Sequence, residues 1–390
     1  MALRWFRAAR GAARERKASG AGPVMAFHGT GRALWSARDR VSLIRTGYEE
    51  NVVGFRAVRM VAEAAAAIPL VLTEAGERMA EHPVLRLLAS PSPGMDGRGF
   101  LEQVYGHLQL AGNAYLEAAG AEDGGLPREL HALRPDRMHV VPGKDGWPEA
   151  FEYRVGQARH RWRVTPDCKP ILHLKAFHPL DDHYGLSPLS AAAAAVDVHN
   201  AAARWTKALL DNAARPSGAI VFQGPEGGAL SEEQYRRLAR EIEDNHQGAR
   251  NAGRPMLLEG GLDWRPMGYS PAEMEFLETK NAAARDIALA FGVPPMILGL
   301  PGDNTYSNYQ EANRAFYRQT VLPLVRRTAA ALAAWIGEAA GMAIGIAPDL
   351  DQVPALGPER DAQWRRIAQA DFLDEDEKRA LLGFGPRARS

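Results

Sequence analysis

One cysteine, Cys168, stands in 390 residues. No disulfide can form within the chain, and a cysteine-rich zinc site is excluded. Nor is there a surplus of charge: 47 Lys and Arg face 47 Asp and Glu. A protein that grips nucleic-acid phosphates usually carries an excess of base. Tight nonspecific DNA binding is therefore not indicated, although DNA passing nearby is not excluded. The catalytic signatures are missing too. There is no phosphate loop of the glycine-lysine-serine type and no nucleophile elbow around a serine. Gly29-Thr30-Gly31 lacks the third glycine and the preceding strand of a dinucleotide fingerprint.

Long apolar runs are scarce. The best candidate, Thr328 to Pro348, carries a single charge, Glu338, and has Gly337, Gly341 and Gly345 four apart. That glycine spacing resembles a membrane helix-packing motif. A carboxylate at mid-span costs about 2.5–3.5 kcal/mol, and Ala and Gly do little to offset it. The reading is a non-membrane helix ending near Gly341, followed by a strand. The N-terminus holds Arg4, Arg7, Arg10, Arg14, Arg16 and Lys17 with no apolar core after them. This is not read as a secretory signal. It reads either as a mobile basic arm or as a contact arm for an acidic partner or nucleic acid.

What is present is a chain with 46% hydrophobic and 24% charged residues, enough to bury a sizeable core across two or three domains. No internal repeat is visible. An apolar helix runs from Asn51 toward Ile68-Pro69-Leu70, where proline should end it. A short strand at Val71-Leu72 leads to a turn at Ala75-Gly76. Helices follow His82-Pro83 and cover Phe100 to Leu110. Strands are expected at Tyr115–Glu117, His139–Val141, Phe151–Val155 and Ile171–Leu174. The second half reads as helical. Ser187-Pro188 caps a helix rich in alanine, Ala191 to Ala195 being consecutive, that should reach about Asn212. Capping boxes are expected at Ser231/Gln234, Ser270/Glu273 and Asn308/Glu311. Tyr235, Leu238 and Ile242 should line one face of the helix from Ser231. Leu277, Ala284, Ile287 and Phe291 should form a buried stripe. A long helix from Tyr309 to about Ala340 contains Pro323, where a kink is expected.

Two groups of polar residues stand out. His173, His178 and His183 recur every five residues, with Asp181 and Asp182 among them. A metal-dependent hydrolase using His178, Asp182 and His183 is one reading. Pro179 and Tyr184-Gly185 mark a loop, so a polar loop leading into the next helix is the other. Asp374 to Glu377 are acidic at a helix start, where they complement the helix dipole.

The order of short motifs goes further. It runs through Ala66-Ala67-Ile68-Pro69-Leu70, His82-Pro83-Val84-Leu85, Pro91-Ser92-Pro93, Phe100-Leu101-Glu102, Gly112-Asn113-Ala114-Tyr115 and Tyr184-Gly185-Leu186-Ser187-Pro188-Leu189. It continues with Gly253-Arg254-Pro255-Met256, Phe276-Leu277-Glu278, Ala290-Phe291-Gly292-Val293-Pro294-Pro295, Asn304-Thr305-Tyr306-Ser307-Asn308 and Phe372-Leu373-Asp374-Glu375. No single motif is specific, but their order over more than 300 residues resembles the portal proteins of tailed bacteriophages. The family more often has asparagine at Ser92, and Thr and Asn at Asp374 and Asp376. The short length and Ala/Arg-rich composition resemble portals of gene transfer agents.

The resemblance implies an α+β fold: an α+β wing, a two-helix stem, a small α/β clip, a long kinked helix and a helical crown. The implied boundaries are a basic arm at 1–47, wing at 48–186, first stem helix at 187–214, clip at 215–268 and second stem helix at 269–295. The tunnel loop and long wing helix would occupy 296–345, and the crown 346–390. The implied function is a ring subunit, typically one of twelve, forming a channel at one capsid vertex for packaging and ejecting double-stranded DNA. Implied partners are further copies of the chain, double-stranded DNA, the major capsid protein, the large terminase subunit and a head–tail adaptor. No catalysis, cofactor, metal or membrane is implied. Asp303, Asn304, Thr305, Tyr306, Ser307 and Asn308 would form the DNA-facing tunnel loop. Lys207, Glu273, Glu275, Glu278, Lys280 and Arg285 are the candidate charges of the stem channel. A head–tail connector lacking a DNA-lined stem is the alternative within the structural class.

Overall fold

The computed structural model describes residues 35–120, 125–165, 169–211, 218–222, 231–246, 262–266, 276–302 and 306–384. The chain divides into two compact units. The larger comprises Trp35–Ala203 and Phe276–Ser390, and the described residues of the smaller lie within Arg204–Glu275. Both divisions fall inside the segments expected to be stem helices.

In the larger unit Asp39 caps α1 (Arg40–Ile44), which runs into a π turn at Arg45–Glu49. Residues 35–47 are thus partly built into the body, unlike the loose arm expected there. Asn51 caps α2 (Val52–Ala66), whose buried residues Val53, Ala57, Val58, Val61, Ala62 and Ala65 keep helical spacing. The helix ends two residues before Ile68, ahead of Pro69. β1 (Leu70–Glu74) and β2 (Glu77–Met79) follow, joined by Ala75 and Gly76 with φ of 51° and 85°. Two positive φ angles in succession are what a tight hairpin turn requires. α3 (Pro83–Ala89) is capped by His82, whose Nδ1 accepts from Val84 N. α4 (Gly97–Ala111), capped by Asp96, buries Phe100, Leu101, Val104, Tyr105 and Leu108, and packs along α2.

β3 (Asn113–Ala119), β4 (Glu129–Leu133), β5 (Met138–Pro142), β6 (Pro148–Val155), β7 (Ala158–Arg163) and β8 (Ile171–Lys175) make two antiparallel sheets, ordered β4-β3-β8 and β5-β6-β7. β4 and β7 had no clear sequence signal, because their faces are mostly exposed or half-buried and lack strict alternation. Tyr115, Met138, Phe151 and Ile171 form a small core of their own. The alanine run is two helices, α5 (Pro188–Ala191) and α6 (Ala193–Asp211), where one was expected. The Ala192 N–H is shared between Pro188 O and Ser190 O, and Ala192 O then accepts from Val196 N at 2.9 Å.

In the smaller unit β9 (Gly218–Phe222), α7 (Glu232–His246) and β10 (Leu262–Pro266) are described, with β9 and β10 antiparallel. The Ser231/Gln234 box is present: Ser231 N donates to Gln234 Oε1 at 2.9 Å and Gln234 N to Ser231 Oγ at 3.2 Å. On the expected apolar face Tyr235 is exposed and Leu238 half-buried. Ser270, Glu273 and Gly253–Met256 lie outside the described residues.

The larger unit resumes with α8 (Phe276–Ala290), where Ala283, Ala284, Ile287 and Ala288 are buried. Leu277, expected in this stripe, is 72% exposed, since burial begins a turn and a half later. Gly292, at φ 64°, ends the apolar face. α9 (Tyr306–Phe316) starts before the expected Tyr309, which places Asn308 inside the helix. Asn308/Glu311 is therefore not a capping box, and Glu311 pairs with Arg314. A π turn at Tyr317–Val321 leads into α10 (Leu322–Ala340). This wide turn lies just before Pro323, where a regular helix would clash with the ring and lack a donor. Gly341, at φ 63°, stops α10.

β11 (Ile344–Pro348) pairs antiparallel with β1, and so crosses the expected 345/346 boundary. Val353 and Leu356 remain in the main core, ahead of α11 (Gly357–Ala368) and α12 (Glu375–Leu381). Asp374 and Glu377 form a reciprocal capping box on α12. Among the described residues no helix is long and apolar enough to cross a membrane. Glu338 is instead paired with Lys169, 2.7 Å away.

Gly112 turns α4 into β3 with φ 67°, and a Cβ there would lie 2.5 Å from Gly185 O. Left-handed backbone and the clash act together. Gly112→Ala should therefore lower stability by about 2–4 kcal/mol, read as a shift in the urea midpoint.

Candidate functional site

The alanine-rich α6 carries few polar side chains, yet three of them, Asp197, His199 and Asn200, are buried in the body. Asn51 is buried opposite them. Its Oδ1 accepts from Val53 N at 3.0 Å and Gly54 N at 2.9 Å, capping α2. Its Nδ2 donates to Asn200 Oδ1 at 2.8 Å and lies 3.2 Å from His199 Nδ1. Asn200 Nδ2 donates to Thr46 O at 2.8 Å. Asp197 accepts from Ser36 N at 3.3 Å and pairs with Arg38 at 3.4 Å. Buried polar groups with their partners in place fix one orientation, because any other leaves them unpaired. Burial lowers the His199 pKa, and Lys280 on α8 adds to this, so the ring stays neutral. These contacts hold the first half of α6 against the N-terminal end of α2. The sequence held a signal for them: Asp, His and Asn interrupt an apolar helix within four positions. Their partners, far away in the chain, were not legible.

The candidate charges divide. Glu278 and Arg285 are exposed on α8, and Lys280 is half-buried there. The Arg285 guanidinium donates to Pro301 O at 2.5 Å, tying α8 to the segment that precedes α9. Tyr306 opens α9, and Ser307 and Asn308 are exposed in its first turn. Lys207 is exposed and falls in the smaller unit. Glu273, Glu275, Asp303, Asn304 and Thr305 lie outside the described residues. The described part of the set that is brought together is thus Glu278, Lys280 and Arg285 on α8, with Arg285 reaching toward the start of α9.

The histidine series does not converge. His173 is stacked on Tyr115, with ring centroids 4.3 Å apart, and its Nε2 lies 2.9 Å from Asn113 Oδ1. Burial holds its pKa down at about 3. His178 Nδ1 accepts from Leu180 N at 3.1 Å, and Asp181 Oδ1 accepts from His183 N at 2.8 Å and Tyr184 N at 2.9 Å. These are loop-shaping bonds. Among the described residues no three His, Cys, Asp or Glu side chains are placed to hold a metal ion.

The family model for the phage portal protein matches residues 53–383. The chain belongs to the phage portal protein family. Chains from two reconstructions of gene transfer agent (GTA) particles are close in sequence to this portal protein. One, from the neck of an empty GTA particle computed with C6 symmetry, is 60% identical, covers 92% of this chain and 97% of its own, and has a TM-score of 0.71. The other, from the neck of the native particle computed with C12 symmetry, has the same identity and coverage and a TM-score of 0.69. The probable portal protein of Streptomyces phage phiC31 is 30% identical over 347 residues, which is 85% of this chain and 74% of that protein. The mixed helix-and-sheet architecture agrees with the α+β portal fold expected from the motif order.

The buried polar groups can be tested in two ways. Asn51→Ala removes a helix cap and strands Asn200, which should cost about 2–4 kcal/mol in urea unfolding. Asn51→Asp keeps the cap acceptor but loses the donor, so it should restore only part of that loss. The second test concerns pH. Burial lowers His173 to about 3 and His107 to about 4, from an ordinary value near 6.5. Between those limits the unfolded chain binds more protons than the folded one. Their contribution is therefore present above pH ~6.5 and is lost as pH falls toward the folded values, by about 2 kcal/mol per histidine at pH 5. Urea midpoints at pH 7.5 and 5 should differ accordingly, and His107→Gln should remove about 2 kcal/mol of the difference.

Proposed function

We propose that this portal protein assembles into a closed ring, a dodecamer, that forms the double-stranded DNA channel at one vertex of a phage-like particle of the gene-transfer-agent type. The observation that carries this is 60% identity over 92% of the chain to a protein in the neck of GTA particles. The ring would serve DNA packaging and ejection, and its role would be structural, not enzymatic. The large terminase subunit and the head–tail adaptor would dock on it, and the major capsid protein would surround it.

The assignment of parts rests on the same likeness. Residues 48–186 would be the wing, together with much of 296–345. α6 and α8, within 187–214 and 269–295, would be the stem. Residues 215–268 would be the clip, which fits a smaller unit of two strands and a helix. Residues 346–390 would be the crown, a segment that begins within β11.

Asp303 to Asn308 would face the DNA. No Lys or Arg occurs in that stretch. Each fixed contact of a basic side chain with a phosphate must be broken for DNA to slide, and ring symmetry would repeat every such contact. Equal numbers of acidic and basic residues suit a conduit that releases what it carries. Glu273, Glu275 and Glu278, with Lys207, Lys280 and Arg285, would keep the stem close to balance.

Negative-stain images and native mass spectra of the purified protein test the ring. A wing with a narrower stem is expected, whereas a flat ring without a stem would favour the connector reading. Asp303→Ala with Asn304→Ala should alter packaging or retention of DNA while rings still form. Unchanged DNA content per particle would remove the tunnel-loop assignment.

A further inference from the structure

The loop between β8 and α5 holds two large apolar side chains out of the body. Phe177 is 83% exposed and Leu180 is 92% exposed. The loop is not slack. Ala176 N donates to Gly112 O at 2.7 Å and Gly185 N to Asn113 Oδ1 at 2.8 Å, which pins both ends. The His178 and Asp181 turns shape what lies between. The side chains are therefore presented in a fixed arrangement, as a preformed contact would need. Beside them Asp182 is exposed, and its carboxylate makes no hydrogen bond or ion pair among the described residues.

A complementary feature lies elsewhere on the same unit. Met60 and Ala64 of α2, Ala67 just after it, Ile297, Phe316 at the end of α9 and Tyr317 at the start of the π turn line an open groove of about 270 Å³. Arg98, in the first turn of α4, stands on its rim, exposed and with no ion pair among the described residues. Glu63 also lines the groove, but it is already paired with Arg56 and Arg59 on α2, which leaves Arg98 as the unpaired charge at the rim. The loop and the groove cannot meet within one chain. The loop adjoins Leu110 and Ala111 at the C-terminal end of α4, while Arg98 is at its N-terminal end. Twelve residues of helix put about 18 Å between them.

A ring needs a heterologous interface: one patch on each subunit must fit a different patch on the next. An apolar knob beside the unpaired Asp182 carboxylate at one end of α4, and an apolar groove beside the unpaired Arg98 guanidinium at the other, meet that need. We infer that Phe177 and Leu180 of one copy seat in the Met60–Ala64–Phe316 groove of the adjacent copy, with Asp182 facing Arg98 across the contact. The inference rests on the ring reading above, and gives that ring a subunit contact.

The test uses the full chain with Cys168→Ser, Leu180→Cys and Ala64→Cys, treated with a short bis-maleimide in preparations checked by negative stain. A denaturing gel should show a ladder of covalent oligomers, and Leu180→Cys without Ala64→Cys should give none. Only monomer on the gel from a preparation that is ring-shaped in stain would overturn the contact and leave the ring reading standing. No rings from either wild type or variant, alone or in particles, would overturn the ring reading and this contact with it. Charge reversal gives an independent arm. Arg98→Asp and Asp182→Arg should each reduce the ring fraction about tenfold, and the chain carrying both should recover it. Failure of the double variant to recover, with both single variants impaired, would show that these two charges do not face one another.

Discussion

Asn51 carries two duties that cannot be separated. Its carbonyl oxygen starts α2, and its amide nitrogen holds α6 through Asn200 and His199. The helix that anchors the apolar core and the helix that leaves the body are therefore oriented by one buried side chain. A buried amide in low dielectric tolerates no partial arrangement. The first turn of α2 and the His199–Asn200 part of α6 are both positioned against it. Lys280 on α8 is near enough to help lower the His199 pKa.

This rigidity suits a part that must stay still while its cargo moves. A subunit of a portal ring has to hold its surface at a fixed radius. The neutral charge balance and the polar network meet different halves of that requirement. On the proposed reading, one would let DNA pass and the other would keep the walls in place. The histidines show the same division of labour. His173 looks in sequence like a ligand, but it is a stacked core residue held neutral by burial.

Local signals in the sequence were read well where the physics is local. Ser187, Ser231 and Asp374 cap the helices they precede, and the Ala75-Gly76 turn and the Gly341 stop fall where expected. Errors arose where distant partners decide. Asn308 has a capping residue's identity, yet α9 begins two residues earlier and absorbs it. Leu277 has the right phase for the α8 stripe but nothing packed over it. β4 and β7 are exposed enough to lack alternation. The alanine run gave composition without geometry, since five alanines favour a helix but do not say that Ala192 interrupts it. Family membership was legible through motif order, which reflects spacing along the chain, whereas the α6 anchor depends on residues about 150 positions apart and left only its own half in view.

The π turn at Tyr317–Val321 has a further consequence. One additional residue in a helical turn rotates everything on one side of it by about 100° relative to the other. α10 is locked into the core by Leu322, Val325, Leu332 and Ile336, so the rotation falls on α9 and on the segment leading into it. The turn thus sets the angular phase of α9 relative to α10. Deleting a single residue from it would leave α10 in place and rotate the described residues of α9, Tyr306–Phe316, about the helix axis.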